Sequence, residues 1–135
     1  LAVVRTMVRD LDMPIDVVGL PTVREQDGLA MSSRNKHLDR DARQRALSLS
    51  RALVATRARW ADGERDAGVL RDVLRTTLVG SGGVEVDYAA LVDPETLEIL
   101  AGPVDERRGA VAAVAAFVGG TRLIDNARVD VPGPL

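Results

Sequence analysis

Two adjacent hydroxyls, Ser32 and Ser33, stand beside the guanidinium of Arg34 in a stretch from Thr22 to Leu38 that shows no hydrophobic periodicity. A serine hydroxyl both donates and accepts, and arginine carries a permanent charge on a planar fork of donors. Placed in a loop just ahead of helical sequence, with backbone amides able to turn inward as a nest, this trio suits anionic oxygens. Each charge-assisted hydrogen bond to a phosphate is worth about 1.5–3 kcal/mol. Ser-Ser-Arg-Asn before a helix equally suits a helix cap in a solvated loop, and the residue types alone leave both readings standing.

The remaining candidates read as structural. His37 is the chain's single histidine and reads as a loop residue beside a helix start. Trp60 reads as a core or interface anchor rather than a stacking platform. Asp125 and Asp130 resemble a carboxylate pair, but outward strand positions are solvated, and no metal-ligand spacing is present. Arg107 and Arg108 read as a polar approach to a strand.

The elements around the loop follow from periodicity. Val3, Val4, Met7, Val8 and Leu11 recur at helical spacing, opposite Arg5, Arg9, Asp10 and Asp12, up to Pro14. Ile15, Val17, Val18, Gly19 and Leu20 have strand character and end at Pro21. Helix followed by strand is half of a βαβ unit, which belongs in a parallel sheet, and one strand cannot make such a sheet. The expectation is therefore that preceding strands lie on sequence outside this chain.

Beyond the loop, Asp39 is an N-cap for a helix running to about Ala61, with Ala42, Ala46, Leu49 and Leu53 on one stripe and Gly63 closing it. A second helix starts near Asp66, faces inward with Val69, Leu70, Val73, Leu74 and Leu78, and ends at Gly80-Ser81-Gly82-Gly83. Val84, Val86 and Tyr88 then alternate with Glu85 and Asp87 as a half-buried strand. Ala110–Val118 and Arg122–Val131 read as two strands joined by Gly119-Gly120, the composition of a two-residue hairpin turn. Together these predict an α+β unit with two main helices and a three-stranded antiparallel sheet.

Composition narrows the function classes. Hydrophobic residues make up 46% and charged residues 28%, the balance of a globular protein, and aromatics at 2% require an aliphatic, alanine-rich core. Seventeen arginines and one lysine are interspersed with 20 acidic residues for a net charge of -2, so no basic field for nucleic acid is expected. Without cysteine, disulfides, thiolate metal sites and cysteine nucleophiles drop out, which fits a reducing cytoplasm. The apolar run Ala110–Val118 is too short to cross a bilayer, so no membrane partner is expected.

Val17-Val18-Gly19-Leu20-Pro21-Thr22-Val23-Arg24-Glu25 followed by Asp27-Gly28-Leu29-Ala30-Met31-Ser32-Ser33-Arg34-Asn35 closely resembles the signature of pantothenate synthetases, and Leu38 fits its continuation. Thr121 to Asn126 is similar, more weakly, to the family's final strand. Met31-Ser32-Ser33-Arg34 looks like that family's version of the KMSKS loop of class I aminoacyl-tRNA synthetases, with Ala30 where the synthetase loop begins with lysine.

The resemblance implies a Rossmann-like nucleotidyltransferase domain with a small C-terminal lid. Residues 1–37 would be the last helix and strand of the first with its ATP-phosphate loop, and residues 38–135 the lid. It implies a cytoplasmic ligase that joins pantoate and β-alanine through pantoyl adenylate with Mg-ATP as substrate, and a homodimeric intact enzyme. Val23 would meet adenine through its backbone, while Met31, Ser32, Ser33 and Arg34 would close over the phosphates. The family's histidine motif, its pantoate-binding glutamines and its lysine-aspartate pair do not occur in this sequence, so the chain is expected to be a C-terminal portion that is inactive by itself. The alternatives are a stand-alone nucleotide- or anion-binding domain, or a structural unit that self-associates through residues 1–20.

Overall fold

Two aspartates start the two long helices. In the computed structural model, which describes residues 1–133 and 135, the Asp39 side chain accepts the Ala42 amide at 2.7 Å and opens α2, Arg40–Ala61. Asp66 does the same for α3, Ala67–Val79, through the Val69 amide at 3.0 Å. Three antiparallel strands follow in the order in which they occur: β1 (Val84–Val92), β2 (Val111–Val118) and β3 (Thr121–Arg128). Val118 pairs with Thr121 across Gly119 and Gly120, whose φ values of 56° and 76° meet the need for two left-handed residues in the turn. The fold is α+β, as the sequence predicts.

α2 and α3 pack on each other and on one face of the sheet. Leu49, Leu53, Leu70, Leu74, Leu78, Leu91, Val114 and Val118 are fully buried between the layers, with Ala46, Ala52, Ala112 and Ala116 filling the gaps. Each large aliphatic side chain contributes about 1.5–3 kcal/mol by leaving water. Two hydroxyls on the buried stripe of α2 are handled locally, Ser50 and Thr56 donating to the carbonyls of Leu47 and Ala52 at 3.1 and 2.9 Å, whereas the buried Ser48 hydroxyl has no partner among the described residues. Trp60 is buried at the end of α2, with the Arg65 guanidinium 4.1 Å from its ring centre.

Two findings differ from the periodicity reading. The alternation that predicts Tyr88 on the face of Val84 and Val86 is broken by a bulge between Val86 and Tyr88. One residue is absorbed there, so Ala89 and Leu91 turn to the core and Tyr88 moves to the outer face, opposite Ala115. The run Ile15–Leu20, read from sequence as a strand, pairs with no other segment among the described residues, and Ile15, Val18 and Leu20 are exposed.

The first helix, α1 (Ala2–Asp10), ends before Pro14. Asp12 adopts a left-handed φ of 48°, its amide bonds to the Arg9 carbonyl, and the Met13 amide reaches back to the Val8 carbonyl at 2.9 Å. No residue of α1 is buried.

Candidate phosphate-binding loop

The stretch that looks irregular in sequence folds into a small hairpin capped by a helical turn. Arg24 and Ala30 form an antiparallel bridge, closed by the Glu25 amide on the Leu29 carbonyl at 2.8 Å and the Met31 amide on the Val23 carbonyl at 2.9 Å. Gly28 turns the hairpin with φ of 91°, which a side chain would disfavour. The chain then enters a 3-10 helix, Ser33–His37, with Ser32 as its cap: the Ser32 hydroxyl accepts the Arg34 amide at 3.2 Å.

The two readings of Ser32 are therefore compatible. A hydroxyl oxygen that accepts an amide keeps its own proton to donate to an anion. Ser33, Arg34 and Met31 are exposed, and among the described residues nothing pairs with the Ser33 hydroxyl or the Arg34 guanidinium. Val23, which the resemblance pairs with adenine, is exposed on the facing strand of the same hairpin, where its carbonyl accepts the Met31 amide. The structure thus brings all five predicted residues onto one hairpin and its capping turn. His37 is exposed at the end of the 3-10 helix.

What holds this loop was not apparent from the sequence. Asp125 is not a solvated outward residue. It lies in phase with Leu123 and Ala127 on the inner face of β3, with its side chain only 2% exposed, and takes both ends of the Arg24 guanidinium at 2.7 and 3.1 Å. Arg24 also donates to the Gly28 carbonyl at 3.0 Å. The inward phase of Leu123 and Asp125 was the available sequence signal, since an inward carboxylate needs a buried cation. Asp130 instead pairs with Arg128 at 2.7 Å, and that contact, with the amide of Ala110, lowers its pKa against the raising effect of burial.

A second anchor joins the hairpin to α2. Arg43 donates to Glu25 at 2.5 Å and to Asp27 at 2.8 Å, and the buried Asn35 amide donates to Glu25 at 2.6 Å and to the Ala30 carbonyl at 3.0 Å. The hydrogen bonds from Asn35 and then Arg43 hold the Glu25 carboxyl below its ordinary pKa. Desolvation pushes Asp27 upward, but the Leu29 amide and Arg43 outweigh it and its pKa is also lowered. Leu29 completes the attachment by entering the main core. Among the described residues there is no cluster of three or more His, Cys, Asp or Glu able to hold a metal ion, and no helix is long and apolar enough to cross a membrane.

The family described as pantoate-beta-alanine ligase matches residues 1–128. A pantothenate synthetase of Anaeromyxobacter dehalogenans is 54% identical over 129 residues, covering 96% of this chain and 43% of that protein. The pantoate-beta-alanine ligase of Arabidopsis thaliana is 46% identical over 129 residues, covering 96% of this chain and 40% of its own length. The crystal structure of pantothenate synthetase from Thermus thermophilus superposes with a TM-score of 0.83 at 44% identity, over 95% of this chain and 45% of that one. The chain therefore spans less than half the length of these relatives. By the family match and these identities, the chain belongs to the pantoate-beta-alanine ligase family.

Proposed function

We propose that this chain is the C-terminal part of an ATP-dependent ligase that condenses pantoate with β-alanine, and that its hairpin grips the ATP phosphates. The observation that carries the reading is the display of Ser32, Ser33 and Arg34 at the head of a short helix, on a loop whose base is fixed by ion pairs. A Francisella tularensis pantoate-beta-alanine ligase whose structure is complexed with β-γ ATP and β-alanine shares the fold at a TM-score of 0.52 and 19% identity, which makes the same ligands reasonable here.

In this reading a pantoate carboxylate attacks the α-phosphorus of Mg-ATP, forming pantoyl adenylate and releasing pyrophosphate. The amine of β-alanine then attacks the acyl carbon and AMP leaves. Negative charge grows on the bridging and terminal oxygens as pyrophosphate departs, and fixed donors aimed at those oxygens lower the barrier with little reorganisation. Arg34 supplies the charge, Ser32 and Ser33 the neutral donors, Met31 the cover, and the Val23 backbone holds the adenine. Mg2+ enters with the nucleotide as part of the substrate.

Residues 1–37 are the nucleotide-binding domain's share of the chain, with their hairpin docked on the lid formed by residues 38–135. The compartment is the cytoplasm and the intact enzyme is a homodimer. The isolated chain, whose one histidine is the exposed His37, does not complete the reaction. The exposed apolar side chains of α1, Val3, Val4 and Met7, favour a secondary tendency of the isolated chain to self-associate through residues 1–20.

Joining the chain to the N-terminal portion of a family member tests this directly. The joined protein should form pantothenate only with ATP and β-alanine. The triple change Ser32→Ala, Ser33→Ala and Arg34→Ala should lower its kcat by at least about 10²–10³, the usual cost of losing a preorganised charge-stabilising donor. Full activity in the triple variant would remove the assigned role.

A further inference from the structure

We propose that Arg24 and Asp125 are positioning residues that latch the phosphate-gripping hairpin to the sheet, so that it presents its donors as a fixed arm of the α+β unit and not as a free flap. The proposal builds on the reading of residues 31–34 as a phosphate grip.

The two residues are 101 positions apart in sequence, yet the guanidinium meets the carboxylate through two hydrogen bonds at 2.7 and 3.1 Å, with side-chain exposures of 11% and 2%. The third contact of the same guanidinium, to the Gly28 carbonyl, crosses the hairpin turn at 3.0 Å. One planar group on the first strand of the hairpin thus joins β3 to the hairpin turn. Asp125 is committed on its own side as well, since its Oδ1 accepts the Asn126 amide at 2.8 Å.

The latch lies next to both ends of the proposed nucleotide site. Arg24 follows Val23 directly, and its bridge partner Ala30 precedes Met31. The Met31 amide bonds the Val23 carbonyl at 2.9 Å, so fixing this bridge sets the separation of the adenine end from the phosphate end. Buried ion pairs are poor general stabilisers compared with apolar packing, and their better-attested use is to select one arrangement. A planar fork bonded to three acceptors does this in a way that an ammonium cannot.

Amide hydrogen exchange on the 135-residue chain tests the latch without nucleotide. Arg24→Lys and Asp125→Asn are each expected to speed exchange of the Glu25, Gly28 and Met31 amides by about tenfold or more beyond the acceleration that any loss of global stability gives the amides of the central strand β2. Arg34→Ala should change none of these. Unchanged hairpin exchange in both variants, or equal acceleration of hairpin and β2 amides, would overturn the latch. In the joined enzyme, Arg24→Lys should raise KM for ATP about tenfold and leave kcat at saturating ATP within about twofold, because the donors themselves are intact. A fall in kcat with unchanged KM would also overturn it. Failure of Arg34→Ala to affect activity would count against the phosphate reading alone, leaving the exchange result as the measure of the latch.

Discussion

Residues 1–22 contain a regular nine-residue helix and bury nothing, whereas residues 23–38 contain one bridge and one turn of 3-10 helix and are tied down at several points. Regular backbone hydrogen bonding is therefore not what fixes a segment in this molecule. α1 satisfies its own amides but offers its apolar stripe to solvent, and a short helix gains little stability without packing. The hairpin satisfies fewer backbone groups within itself, yet Leu29 enters the core, Asn35 is buried as a strut, and Arg24, Glu25 and Asp27 each find a partner on another element. Tertiary side-chain anchors give the second segment a defined place.

The contrast can be broken most severely at the buried pair. Arg24→Ala leaves the Asp125 carboxylate without its cation and is expected to cost about 3–5 kcal/mol in denaturant unfolding. Arg9→Ala, which removes the exposed Arg9–Asp10 pair at 3.1 Å, should change stability by no more than about 0.5 kcal/mol. Similar losses for the two would erase the distinction between the segments.

A somewhat smaller difference is expected from apolar truncation. Leu29→Ala should cost about 2–4 kcal/mol, toward the lower part of the core range because a surface hairpin can settle into the space, while Val4→Ala on α1 should stay within about 0.5 kcal/mol. Paired thermal or urea melts would show the order.

The smallest effect concerns pH. Glu25 and Asp27 have lowered pKa values in the folded chain, so their contribution is complete above the ordinary carboxylate range of about 4 and is lost as pH falls through the lowered folded values. Both side chains are partly exposed, which limits the size of the effect. Carboxyl carbon NMR should find both groups titrating below their ordinary values. Arg43→Ala should move both back upward, most of the remaining depression at Glu25 coming from Asn35.

Much of this arrangement was legible in the sequence because it is encoded locally. The caps at Asp39 and Asp66, the leucine and alanine stripe of α2 and the Gly119-Gly120 turn each depend on residues a few positions apart. The five residues proposed as a nucleotide grip were likewise singled out by a local signature. Two kinds of feature escaped. The bulge before Tyr88 shifts the strand's phase by one residue, which alternation cannot register until the register of β2 is known. The Arg24–Asp125 tie spans 101 residues, and neither partner reveals the other in a single sequence. Asp125 was misread as solvated because an acidic residue on a strand usually faces water, although its phase with Leu123 pointed inward. Ile15–Leu20 has strand composition, but composition does not supply a neighbouring strand to pair with.

A crystal structure of the joined enzyme with a nonhydrolysable ATP analogue tests the proposed phosphate grip most directly. The Ser32 and Ser33 hydroxyls and the Arg34 guanidinium should lie within hydrogen-bonding distance of phosphate oxygens, with the Arg24–Asp125 contact intact beneath them. Side chains of 32–34 pointing into solvent over a bound triphosphate would contradict it.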